Sequence, residues 1–270
     1  MRQTIKLLGC CLLLLSFSCV PNKKLIYLQN LEGETPIPES ELIEYEIPDY
    51  RLQFNDIIDV QLKTIEDLLR DGLDFQTQMQ QNMQMGQMAG QGGGDIYYMT
   101  GYTVNKEGKV RLPVIGEVLV ADLTIEEARA VIEDAIKEMV TSEIFVKVKL
   151  GGIRYSAIGE FRRPGKFVVL QDRMTILEAV AHAGDLNVVA KRDEILLIRQ
   201  YPDGTKLHRV NLNDRNLIRS PFYFIQPNDQ LYAEPMRVRE IGAGENAVQT
   251  LSLLVSTISA IALVLNLITR

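Results

Sequence analysis

Val104-Asn-Lys-Glu-Gly-Lys-Val-Arg-Leu-Pro-Val-Ile-Gly116, with Leu123-Thr-Ile-Glu-Glu-Ala128 close behind it, sets the character of this chain. Asn105-Lys-Glu-Gly108 reads as a turn between strands at Tyr102-Thr-Val104 and Lys109 to Val118. Thr124 with Glu127 three residues on is a capping box, so a helix should open there and run to about Met139. Ala128, Ile132 and Ile136 then share its apolar face. Strands with a capped helix in this order are read as an α+β class.

Working outward, Tyr50-Arg-Leu-Gln-Phe-Asn-Asp-Ile-Ile-Asp-Val-Gln-Leu62 nearly alternates and reads as a strand, as does Ile144 to Leu150. A second unit follows from Gly152. Strands are expected at Ile153–Gly159 and Lys166–Leu170, and a helix from Thr175-Ile-Leu-Glu178 to Ala183, ended by Gly184. A hairpin should turn around Pro202-Asp-Gly204. Two short echoes link the units: Thr124-Ile-Glu-Glu with Thr175-Ile-Leu-Glu, and Gln53-Phe-Asn-Asp56 with Gln226-Pro-Asn-Asp229. They are too brief to establish a tandem repeat.

Between the first two strands lies Gln76 to Asp95, almost wholly Gln, Met and Gly, which cannot bury a core and reads as a disordered insert. Residues 19–49 mix Pro, Glu and isolated apolar side chains without a period, so they read as an arm leading to the first unit.

Both ends point to a membrane. Met1 to Ser18 has a basic start and a short apolar run, the parts of a secretory signal. Cys19 follows Ser18 and is the expected lipidation site, although Ser16 stands where a branched aliphatic residue is usual. At the other end Ala247 to Ile268 carries no charge and is long enough for a transmembrane helix. Gln249, Ser252, Ser256, Ser259 and Asn266 fall on one face of it. That stripe reads equally as a packing seam between helices or as the lining of a water-filled lumen.

All three cysteines, Cys10, Cys11 and Cys19, lie in or at the end of the signal, which leaves no disulfide, thiol nucleophile or Cys-based metal site beyond it. The net charge of −6, with no basic block, argues against nucleic acid as a partner. No phosphate-binding glycine loop is present. His182 and His208 stand in different contexts and read as structural. Arg162 and Arg163, before Pro164-Gly165, read as an exposed turn, with contact to an acidic glycan or a neighbouring subunit as the alternative. No catalytic residue, cofactor or metal is expected, and the chain reads as a non-enzyme.

Tyr50-Arg-Leu-Gln-Phe-Asn-Asp-Ile-Ile58, Val104 to Gly116 and Leu123 to Ala128 together resemble the outer-membrane polysaccharide export family of Wza type. Gly159-Glu-Phe-Arg-Arg-Pro-Gly-Lys-Phe167, Met174 to Gly184 and Tyr223 to Leu231 resemble the β-grasp (SLBB-like) module that follows in that family. The resemblance implies an α+β chain with a β-rich polysaccharide-export domain at 50–151, one β-grasp domain at 152–236, a linker at 237–246 and a C-terminal transmembrane helix at 247–268. It further implies a homo-oligomer ring in the outer membrane, lipid-anchored with its body in the periplasm. The helices would form a passage for capsular or exopolysaccharide, fed by an inner-membrane polysaccharide co-polymerase. Gln249, Ser252, Ser256, Ser259 and Asn266 would then line the pore. An adaptor binding glycan or co-polymerase, anchored by a lone helix, is the rival reading. One β-grasp module, where well-known members have two or more, implies a shorter vestibule.

Overall fold

The computed structural model describes residues 21–44, 49–64, 100–140, 144–236 and 247–268. Cys19, the Gln/Met/Gly run at 76–95 and the linker at 237–246 lie outside them.

In the first unit the strands are β1 (Ile57–Thr64), β2 (Tyr102–Thr103), β3 (Lys109–Leu112) and β4 (Gly116–Leu119), followed by helix α1 (Ile125–Lys137) and strand β5 (Ile144–Leu150). Strands β2, β1 and β5 form an antiparallel sheet in that order, and β3 and β4 form a hairpin. The stretch from Lys109 to Val118 is therefore two strands rather than one. Pro113 offers no N–H to a ladder, and Val114 and Gly116 take φ values of 70° and 86°, which turn the chain back. Nor does the first strand begin at Tyr50. Asn55, at φ 71°, bends the chain just before β1, while Leu52 is buried and its N–H donates to the Leu123 carbonyl at 2.9 Å.

Thr124 caps α1 as its spacing requires: its hydroxyl accepts from Glu127 N–H, and the Glu127 carboxylate accepts from Thr124 N–H at 2.8 Å. Ala128, Ile132 and Ile136 are buried against Leu52, Ile58, Val110 and Val146. Burying each aliphatic side chain stabilises the unit by about 1.5–3 kcal/mol.

The second unit comprises β6 (Ile153–Gly159), β7 (Gly165–Val169), helix α2 (Ile176–His182), β8 (Ile195–Tyr201), β9 (Gly204–Val210) and β10 (Asp229–Ala233). Its sheet runs β7-β6-β10-β8-β9, with β10 parallel to β6 and every other pair antiparallel. Thr175 and Glu178 close a second capping box, and α2 buries Ile176, Ala179 and Val180 in a core with Ile153, Leu197 and Leu231. Gly159 has φ 85°, and a Cβ there would run into the Ala233 carbonyl, so only glycine lets β6 end against β10. The α+β class read from the sequence holds.

Helix α3 (Ala247–Ile268) spans 22 residues. Its side chains at 247–251, 254, 264 and 267–268 lie outside the described set. Among the described residues no helix is long and apolar enough to cross a membrane. The structure therefore does not support the transmembrane assignment made from the sequence.

Candidate functional site

Three features bear on function: the C-terminal helix, the arm that precedes the first unit, and the seam between the units. On α3, Ser252, Ser256, Ser259 and Asn266 are exposed, and the side chain of Gln249 lies outside the described residues. The hydroxyls of Ser256 and Thr257 donate to the Leu253 carbonyl, both at 2.9 Å, and Ser259 donates to that of Val255 at 2.7 Å. Such back-bonding satisfies each hydroxyl within its own helix. The hydrophobic side chains are no more covered, since Leu253, Ile258, Ile261 and Leu265 away from the stripe, Val255 at its edge and Leu263 within it are each more than half exposed. Among the described side chains of α3, neither the polar nor the apolar ones are covered.

The arm does more than lead to the first unit: it also packs along the second. Leu28 and Gln29 donate their N–H groups to the carbonyls of Leu212 and Asn213, at 3.2 and 2.6 Å, and Arg215 N–H donates back to Gln29 O at 2.9 Å. The Arg215 guanidinium holds the carbonyls of Leu28 and Ile37, and Ile37 is buried. Tyr27 donates to Asp185 Oδ1 at 2.5 Å beneath the Arg192 guanidinium. Burial, then the Asp185 hydrogen bond, pushes the Tyr27 hydroxyl up to about 12. At its other end the second unit closes with Met236, whose N–H donates to Val189 O at 2.7 Å. Both stretches that lead toward Cys19 and toward α3 thus leave from the second unit.

The seam is built from the two echoed turns. In each, Asn takes a left-handed conformation, Asn55 at φ 71° and Asn228 at φ 68°. In each, the following aspartate is buried and accepts the N–H of the glutamine that opens the turn: Gln53 to Asp56 at 2.8 Å, Gln226 to Asp229 at 2.7 Å. The Asn228 amide donates across the seam to Asp56 Oδ1 at 3.2 Å, and Arg154 Nη2 donates to Asn55 O at 2.8 Å. The partners then diverge. Asp229 receives a two-pronged guanidinium from Arg199, at 3.0 and 2.7 Å, whereas Asp56 receives the Tyr50 hydroxyl at 2.6 Å. Burial holds both carboxyls above the usual range, Asp56 at about 6, and pushes the Tyr50 hydroxyl up strongly.

The remaining sequence candidates fall in structural settings. His182 sits against Tyr155, whose oxygen is 3.1 Å from Nδ1, and beside Phe167. His208 stacks on Phe222 at 4.3 Å with Tyr201 Oη 3.0 Å from Nε2. Arg163 donates to the His182 carbonyl at 2.6 Å, closing the C-terminus of α2. Among the described residues no group of three or more His, Cys, Asp or Glu is placed to hold a metal. An apolar cavity of about 350 Å³ opens at one pole of the first unit between Leu62, Tyr102, Val114, Ile136 and Met139.

Residues 44–151 match the family model described as polysaccharide biosynthesis/export protein. No curated protein matches the chain. The match supports the export family, which is one of transport rather than of enzymes, associated with the periplasm and outer membrane.

Proposed function

We propose, from a chain that carries a polysaccharide-export segment, that it is an outer-membrane lipoprotein through which capsular or exopolysaccharide leaves the cell. Cys19 carries the lipid, the two units form a periplasmic body, and copies assemble into a ring whose α3 helices span the membrane and enclose the passage. Ser252, Ser256, Ser259 and Asn266, with Gln249, face the lumen. An inner-membrane co-polymerase feeds the polymer, and no bond is made or broken at this protein. The observation that carries the reading is α3 itself: an uncharged helix of 22 residues whose apolar side chains, among the described residues, are more than half exposed. In a ring the apolar face meets lipid and the seryl face meets water.

A second reading draws on the back-bonded hydroxyls of Ser256, Thr257 and Ser259. A stripe satisfied within its helix tolerates lipid, so α3 could anchor a glycan- or co-polymerase-binding adaptor without enclosing anything. Extracting the full-length protein in mild detergent and imaging the particles separates the two. Closed rings with α3 gathered on the axis support export, and reproducible monomers support the adaptor. Replacing both Ser252 and Ser256 by Leu should abolish surface polymer while leaving membrane attachment intact. Unchanged polymer would remove the lumen assignment.

A further inference from the structure

We infer that the seam between the two units is a proton-sensitive latch centred on Asp56, closed in mild acid and loosened toward neutral pH. Asp56 is fully buried where three elements meet. Tyr50 approaches from the stretch before β1, Asn228 from the turn before β10, and Arg154 from β6, while Asp229 adds its charge from behind the same turn. Only Arg154 is cationic among these: its guanidinium donates to the Asn55 carbonyl and favours the Asp56 charge through space, against the larger cost of burial.

The twin turn supplies an internal comparison. Asp229 has the same backbone bond and the same burial, yet is clasped by Arg199 within its own unit. The charge on Asp229 is thus answered within its own unit, whereas that on Asp56 is answered by the Tyr50 hydroxyl and Gln53 N–H of its own unit and, across the seam, by the Asn228 amide and the nearby Arg154 charge. Either protonation state keeps these partners, because a neutral carboxyl still accepts from Asn228 and can point its own proton at the Tyr50 oxygen. What changes is the cost of holding a charge out of water.

The sign follows from linkage. In the closed seam the Asp56 carboxyl titrates at about 6, above the range it would have in water once the seam opens. The closed state therefore binds the proton more tightly, so its advantage is complete below the ordinary carboxylate range and is lost as pH rises through about 6. This holds whether α3 encloses a passage or only anchors the chain.

The test is hydrogen exchange on the full-length protein, reading amides at 53–58 and 226–230 and correcting for intrinsic rates. Protection should fall by about one order of magnitude between pH 5 and pH 7.5 in the wild type. Asp56→Asn, which cannot ionise, should show equal protection at both values across 53–58, where Asp229 takes no backbone bond. Asn228→Gly keeps the left-handed turn but drops the cross-seam donor that favours the carboxylate, so the midpoint should move to higher pH. A wild type with flat protection, an Asp56→Asn protein that keeps the pH response, or an Asn228→Gly midpoint that does not move overturns the latch.

Discussion

At the scale of single residues, the two buried aspartates show how one local motif takes on different duties. Asp229 and Arg199 are nearly inaccessible, and the guanidinium also holds the Phe224 carbonyl at 2.9 Å. Removing one member of such a pair leaves a buried charge uncompensated. Arg199→Met should therefore destabilise the second unit by about 3–5 kcal/mol, read as a lower midpoint in urea unfolding at pH 7. The loss should shrink in acid, as Asp229 takes up a proton. A loss below about 1 kcal/mol at pH 7 would mean that the pair is not holding the turn. The echo of Gln53-Phe-Asn-Asp56 in Gln226-Pro-Asn-Asp229 was legible in the sequence as a way of turning into a strand. That Asn228 would reach across to Asp56 was not, because two residues 172 positions apart meet only through the packing of the units.

At the scale of elements, legibility tracked periodicity and end signals. Both helices begin where Thr-Ile-x-Glu places them, since the capping box states its geometry in four residues. Thr124→Ala and Thr175→Ala should each cost about 1 kcal/mol, the second without touching the first unit. Urea unfolding of the single and double variants checks this: the two losses should add, because the caps belong to separate cores. Marked non-additivity would mean that the units unfold as one cooperative body. Where period fails, the reading fell short. The arm holds to the second unit by scattered backbone bonds, one buried isoleucine and Arg215, none of which leaves a repeating pattern. The hairpin of β3 and β4 hid within one apolar run because Pro113-Val-Ile115 is apolar yet turns. For α3 the sequence marked a polar face, but a helix whose described side chains are exposed offers no packed environment from which to read its purpose.

At the scale of the whole molecule, the docked arm and the closing Met236 put the stretch toward Cys19 and the stretch toward α3 both on the second unit. If Cys19 carries lipid and α3 inserts, that unit is held against the bilayer at two points, and the unit carrying the export match lies beyond it. A fluorophore on Val188→Cys, an exposed site beside the Val189–Met236 bond, should be quenched by nitroxide headgroups in proteoliposomes. The same fluorophore on Val114→Cys, at the exposed hairpin tip of the first unit, should be quenched far less. Equal quenching, or the reverse order, would detach the orientation from the arm. Such a placement also gives the seam a mechanical meaning. The Asp56 latch then joins a membrane-held unit to a free one, and loosening it would let the first unit tilt while the second stays fixed. The quenching ratio between Val114→Cys and Val188→Cys should accordingly depend on pH in the wild type and lose that dependence in Asp56→Asn. A ratio that responds to pH equally in both proteins would place the titrating group elsewhere.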